Sequence, residues 1–203
     1  KDAKTVPFVS YQEAEEAGKI IHSKAIQYLK IHNTPIEITS IVDPKQKTII
    51  KKESKSKKHG AKIVNSKGDL MLFIITDETK KENNMLSIAS QAFFKYKVDI
   101  ILISNTKYSL QIVADNSNEK VAEVLKDLNT KVSKVEIYPV SMVYLVGNFN
   151  VYEVNEFNRL LIKIKADMEI TAFLYKNCTR LEAIIKEQNL DNIINALHNK
   201  FIR

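Results

Sequence analysis

From Ser10 to Lys30, apolar and small residues recur at helical spacing: Ala14, Ala17, Ile20, Ile21, Ala25, Tyr28 and Leu29. The spacing predicts one amphipathic helix. Ser10 and Glu13 stand three apart, as in a capping box, and Gly18 reads as an interior interruption costing about 1 kcal/mol relative to alanine. "TPIEITSIVDP" alternates as a strand from Pro35 to Ile41, stopped by the turn pair Asp43-Pro44, and "KTII" follows as a short strand.

Beyond a lysine-rich stretch the pattern changes. "DLMLFIIT" (Asp69 to Thr76) is an apolar run bounded by Gly68 and Asp77, hence a buried strand. "NNMLSIASQAFFKYK" sets Leu86, Ala89, Ala92, Phe93 and Tyr96 on one helical face, with Asn83 or Asn84 as N-cap. The strands "DIILIS" and "YSLQIVAD" follow, joined around Asn105-Thr106. A helix ("NEKVAEVLKDLN") and a strand ("SKVEIYP") complete a βαββαβ order. A second pass runs "VSMVYLVGN" (strand), "VNEFNRLLIKIK" (helix), "MEITAFLY" and "RLEAIIKE" (strands) and "NLDNIINALHNKF" (helix), and lacks its last strand. "AKIVN" (Ala61 to Asn65) is the expected supplier. The fold class is therefore α+β: tandem ferredoxin-like βαββαβ units, the first inserted into the second. Each closes as an antiparallel sheet with its helices on one face, because a crossover helix must bury its apolar stripe on the sheet. Bare sheet edges and helix faces then invite pairing with a second copy, so a homodimer is expected.

Composition narrows the function classes. Of 203 residues, 44% are hydrophobic and 27% charged, values of a globular chain rather than a disordered one. No apolar run approaches a membrane span, and no signal segment opens the chain. The chain starts at Lys1 and enters an organised segment at once, as expected of a piece of a longer protein. One cysteine, Cys178, rules out an internal disulfide and any cysteine-based zinc site, which fits the reducing cytoplasm. The net charge of +7 raises nucleic acid as a partner. Lysines 45, 47, 51, 52, 55, 57 and 58 crowd one stretch, but no aromatics interleave to stack on bases, so the run reads as a solvated linker. His32, His59 and His198 lie in unrelated segments, which gives no metal-ligand spacing. No glycine-rich phosphate loop and no nucleophile–base arrangement is readable, so no catalytic residue is assigned.

The order of short motifs resembles the C-terminal part of the aspartokinase family. "VSYQEA" is similar to its Ser-Tyr-x-Glu-Ala segment, "GKIIHSK" to Gly-Ala-Lys-Val-Leu-His-Pro, "NTPIEITSIVDP" to its Ile-Pro-Ile strand and following turn, and "KTII" to Gly-Thr-Leu-Ile. "VYLVGN" resembles a strand ending Val-Gly-Asn, and "LHNKFI" the Leu-His-x-x-Phe ending. The resemblance implies the end of an α/β amino-acid-kinase domain at 1–52, a basic linker at 53–60, a first ACT domain at 66–138, and a second at 61–65 and 139–203. It also implies ATP and Mg²⁺ as cofactors of the full enzyme, which phosphorylates aspartate in lysine, threonine and methionine biosynthesis. The family's phosphate-binding Lys-Phe-Gly-Gly-Thr-Ser motif is absent, so this chain alone is not expected to carry the reaction.

By the same resemblance Lys19 and Ile20 contact the nucleotide. An amino-acid effector would sit at Asn83, Asn84, Met85 and Leu86 with Ile101, Ser104, Asn105, Thr106 and Lys107. Lys107 stands where the family has glutamate, and Ile101 where lysine-sensitive members have aspartate, which points away from lysine and toward an anionic or apolar effector, or none. Two other readings remain open: a stand-alone ACT-type binding or assembly subunit, and a basic nucleic-acid-binding module.

Overall fold

The computed structural model describes residues 5–18, 21–52, 59–76, 85–106, 108–117, 119–164 and 179–202. The first part is a small layer built from strand β1 (Phe8–Ser10), helices α1 (Tyr11–Ala17) and α2 (Ser23–Ile31), and strands β2 (Ile36–Thr39) and β3 (Lys47–Lys51). The strands are ordered β1-β3-β2, with β1 parallel and β2 antiparallel to β3. Val9, Tyr11, Ala14, Ile26 and Ile50 form its core.

The single helix expected over Ser10–Lys30 is two helices. Gly18 adopts the left-handed conformation (φ 68°) as the C-cap of α1, its N–H donating to the Ala14 carbonyl. It terminates the helix rather than interrupting it, because left-handed backbone favours glycine. His22 then starts α2 as N-cap, its Nδ1 accepting from the Lys24 amide at 3.3 Å. The capping box is present: Ser10 Oγ accepts from the Glu13 amide, and the Glu13 carboxylate accepts from the Ser10 amide at 2.8 Å. Strand β2 stops before Ile41 because Ser40 Oγ accepts from the Val42 and Asp43 amides and turns the chain, leaving Ile41 and Val42 exposed.

The second part is a five-stranded antiparallel sheet. Its elements are β4 (Gly60–Thr76), α3 (Met85–Tyr96), β5 (Ile100–Asn105), β6 (Ser109–Asp115), α4 (Val121–Asn129), β7 (Lys134–Asn148), α5 (Val151–Lys163), β8 (Arg180–Lys186) and α6 (Leu190–Phe201), in strand order β5-β6-β4-β7-β8. Two pairs of expected strands are fused. "AKIVN" and "DLMLFIIT" are one 17-residue strand, bent at Asp69 (φ 53°) and slipped in register between Lys67 and Leu70. "SKVEIYP" and "VSMVYLVGN" are likewise one strand running through Pro139. Proline is tolerated there because β8 pairs only from Val140 onward, so β7 is open on that side.

Strands β5-β6-β4-β7 with α3 and α4 have ferredoxin-like order. Phe73, Ile75, Leu110, Ile112 and Ala114 meet Ala89, Ala92, Phe93, Val124 and Leu128 from the helices. The helical face of α3 is the expected one at Ala89, Ala92, Phe93 and Tyr96, but at its start Met85 is buried and Leu86 is 43% exposed. At the other end Val143, Leu145, Leu181, Ala183 and Ile185 pack on Phe157 and Leu161 of α5 and Ile193 and Leu197 of α6. There β7 and β4 run so close that a Cβ on Gly147 would strike the Gly60 carbonyl oxygen. On the helix-free side Leu70, Leu72, Leu102 and Val113 join Val140, Met142, Tyr144, Val146 and Ile184 in one buried cluster, so the two bare half-faces cover each other.

Candidate functional site

The β5–β6 hairpin is fixed by Thr106. Its Oγ1 accepts from the amides of Tyr108 (3.4 Å) and Ser109 (3.0 Å), and its own N–H donates to the Ser109 carbonyl at 2.9 Å. Pairing of Thr76 with Ser109 and of Asn105 with Leu110 brings the hairpin to the end of the sheet where β4 finishes. Helix α3 follows β4 and packs back along the sheet, so it starts at that same end.

Of the residues assigned to an effector, Leu86, Ser104, Asn105 and Thr106 therefore lie toward one end of the sheet, with the amide and hydroxyl of Thr106 spent inside the hairpin. Met85 lies beneath them in the helix-side core, and Ile101 packs against the helix-free cluster. Asn83, Asn84 and Lys107 lie outside the described residues, as do the nucleotide residues Lys19 and Ile20, and Cys178.

The flank beside this end carries exposed apolar side chains. Leu86 and Phe94 lie on α3, Ile103 on β5 and Tyr108 in the hairpin, exposed by 43%, 85%, 44% and 73%. Lys95 leans the other way, toward Asp127 of α4 at 3.3 Å, so Leu86 and Phe94 face away from α4. Among the described residues β5 pairs only with β6, which makes it an edge strand.

A second feature joins the two parts of the molecule and was not visible in the sequence. Glu13, 2% exposed, holds its own helix cap and also the Nζ of Lys62 on β4 at 2.7 Å. Asn65 on the same strand donates to the carbonyl of Ala17 at the end of α1. One turn beyond Glu13, Glu16 lies 3.4 Å from Arg180 at the start of β8. Arg180 also has its Nε 2.6 Å from Glu182, and its guanidinium lies over the Tyr144 ring at 4.0 Å. The capping-box spacing predicted the local bond of Glu13. Nothing in the spacing distinguishes its long-range partner.

At the far end of the sheet His59, Gly60 and Ala61, the first turns of α5 and the end of α6 line an open cavity of about 480 Å³. There Lys200 Nζ lies 2.8 Å from Glu156, and this bond, with a second from Arg159, holds the Glu156 carboxyl below its usual range. Among the described residues no three His, Cys, Asp or Glu side chains converge as a metal site, and no helix is long and apolar enough to cross a membrane. The described part of the lysine-rich stretch is engaged locally: Lys47 pairs with Glu37, and Lys51 lies over Phe8.

No family model matches the sequence, and no curated protein matches it. Solved structures do. The aspartate kinase of Clostridium acetobutylicum superposes with a TM-score of 0.86 at 16% identity, over 99% of this chain and 49% of that one. The chain has the fold of an aspartate kinase's regulatory part. E. coli aspartokinase III in complex with lysine and aspartate matches at 0.77 and 15% identity, over 98% of this chain and 47% of its own. A putative C-terminal regulatory domain of aspartate kinase from Porphyromonas gingivalis matches at 0.59 and 12% identity, over 70% of this chain and 97% of that one. The chain thus spans about half the length of the whole kinases it matches.

Proposed function

We propose that this chain is the regulatory and assembly region of an aspartate kinase, carrying the last helices and strands of the kinase domain. The observation that supports it most is the 99% coverage by a whole kinase, because the match takes in the N-terminal layer as well as the five-stranded sheet. The isolated regulatory domain covers 70%, about the share lying from Gly60 onward, as expected if the first layer belongs with the catalytic part.

The whole enzyme would transfer the γ-phosphoryl group of ATP to aspartate in the cytoplasm, using Mg²⁺. Both ATP and Mg²⁺ belong in this reading to the whole enzyme, as the family resemblance implies. The function of this region is to hold two copies together and to bias the kinase between arrangements of different activity. An effector can do this only through unequal affinity for the two states.

The effector is an amino acid without a cationic side chain, held at the end of the sheet formed by the β5–β6 hairpin and the start of α3. Ile101 supports this, since an apolar side chain packed against a hydrophobic cluster stands where lysine-sensitive members of the family have an aspartate. The test is a thermal-shift screen of the chain against lysine, threonine, methionine and acidic amino acids. Binding to the native state stabilises it by RT ln(1 + [L]/Kd), about 2.7 kcal/mol at a hundredfold excess. A shift with a neutral or acidic amino acid is expected, and a shift with lysine alone would overturn the assignment.

A further inference from the structure

Helix α1 carries Glu13, Glu15 and Glu16 and no basic residue. Two cations of the sheet meet it: Lys62 Nζ lies 2.7 Å from Glu13, and Arg180 Nη1 lies 3.4 Å from Glu16. Lys62 is the extra residue of a β-bulge. Ala61 stands opposite Gly147 and Ile63 opposite Val146, so Lys62 has no cross-strand partner on β7. A bulge re-aims the side chain it carries, here toward α1. Asn65 adds a bond to the Ala17 carbonyl, at the last residue of the helix. The four charged side chains of this seat are between 3% and 24% exposed. Removing one partner strands the other largely out of water, which costs far more than losing an exposed pair.

The layer has little stability of its own to set against that cost. Its core is five side chains, Val9, Tyr11, Ala14, Ile26 and Ile50. Tyr28, Ile31, Ile41 and Val42 are 64% or more exposed, so nearly as many large apolar groups lie outside the core as in it. Its strands have three, four and five residues and its helices seven and nine, lengths that hold only when packed. A body this small with such a core is marginal alone. We propose that the N-terminal layer keeps its fold only while α1 is seated on Lys62 and Arg180, so that layer and seat order together. Lys62 on β4 and Arg180 on β8 flank β7, so the seat exists only when all three strands are paired. The layer therefore forms after the sheet and does not outlast it. The inference stands on contacts within this chain and does not rest on the kinase reading. Where that reading holds, the kinase end of this chain takes its order from the regulatory sheet.

Hydrogen exchange of the full chain, read by mass spectrometry, tests it. Lys62→Gln and Arg180→Gln are each expected to speed exchange in α2 and β2, which take no part in the bonds of the seat, by the same factor as in α1. That factor is about tenfold or more, as for a largely buried pair deprived of one partner. Peptides from β6 and α4 should keep their wild-type rates. Lys47→Gln breaks an ion pair inside the layer whose side chains are 51% exposed, and should change rates by less than about twofold. Acceleration confined to α1, with α2 and β2 unchanged, would show that the layer supports itself and overturn the proposal. Wild-type rates in either seat variant would overturn it too, as would equal acceleration in β6 and α4, or in Lys47→Gln. None of these outcomes depends on ligand or kinase activity, so the seat and the proposed function fail separately.

Discussion

Phe73 on β4 and Phe93 on α3 meet edge to face, their ring centroids 5.0 Å apart and their planes at 79°, both at most 1% exposed. This pair ties the first helix of the unit to the central strand. Phe93→Ala removes a buried ring from a packed site and is expected to destabilise by about 3–5 kcal/mol. The adjacent Phe94 is 85% exposed, and Phe94→Ala should stay within about 0.5 kcal/mol in the monomer. Urea unfolding of the two variants checks the contrast, and comparable losses would show that the α3 face is assigned wrongly.

Why some features were legible in the sequence and others were not follows from these elements. The alternation of β6 and the 3.6-residue spacing of α4 are local signals, and both elements form where expected. The spacing in α3 predicts Ala89, Ala92, Phe93 and Tyr96 on the packed face correctly and misses only Leu86, because Met85 and Leu86 are equally apolar and only the packed core decides between them. The sequence predicts the fused strands as pairs because Gly68-Asp69 and Pro139 are ordinary terminators. Here they bend or tolerate a strand that continues for reasons of sheet pairing. Thr106 was placed in the hairpin by its neighbours, but its role as acceptor for two amides needed the backbone geometry. The partnership of Glu13 with Lys62, 49 residues away, has no sequence signature at all.

Asp115 closes β6 with its carboxylate 2.8 Å from Lys67 Nζ and accepting from the Ser117 amide at 2.9 Å. The hydrogen bond from Lys67 first, then those from Ser117, lower its pKa from 3.8 to about 2. A carboxyl whose pKa is depressed on folding stabilises the native state above its unfolded pKa. That contribution fades as pH falls from about 4 through 2. Lys67 is well exposed, so solvent screening limits the contribution to about 1 kcal/mol. Thermal melts between pH 5 and pH 2 should show wild type more stable than Asp115→Asn at pH 5, with the gap closing toward pH 2. A gap independent of pH would remove the charge from the explanation.

The edge formed by β5 carries the proposed self-association. Ile100–Asn105 reads "IILISN", with no charge or proline of the kind that protects exposed strand edges. Beside it Leu86, Phe94 and Ile103 are exposed apolar side chains, on a chain whose net charge is +7. A two-fold contact places the same surface on both partners, so an apolar face lets a basic chain associate with itself without setting like charges against each other. Antiparallel pairing of two β5 edges would satisfy their open backbone groups and set the α3 helices side by side over a shared apolar seam. Ile103→Lys puts two lysines near the two-fold, and Phe94→Glu puts a carboxylate into the seam. Both lie on the surface of the single chain, so the fold should survive. Light scattering across a hundredfold concentration range should give a dimer for wild type and a monomer for the double variant, with circular dichroism unchanged. A wild-type chain that stays monomeric throughout, or a double variant that still dimerises, would rule out this edge as the contact.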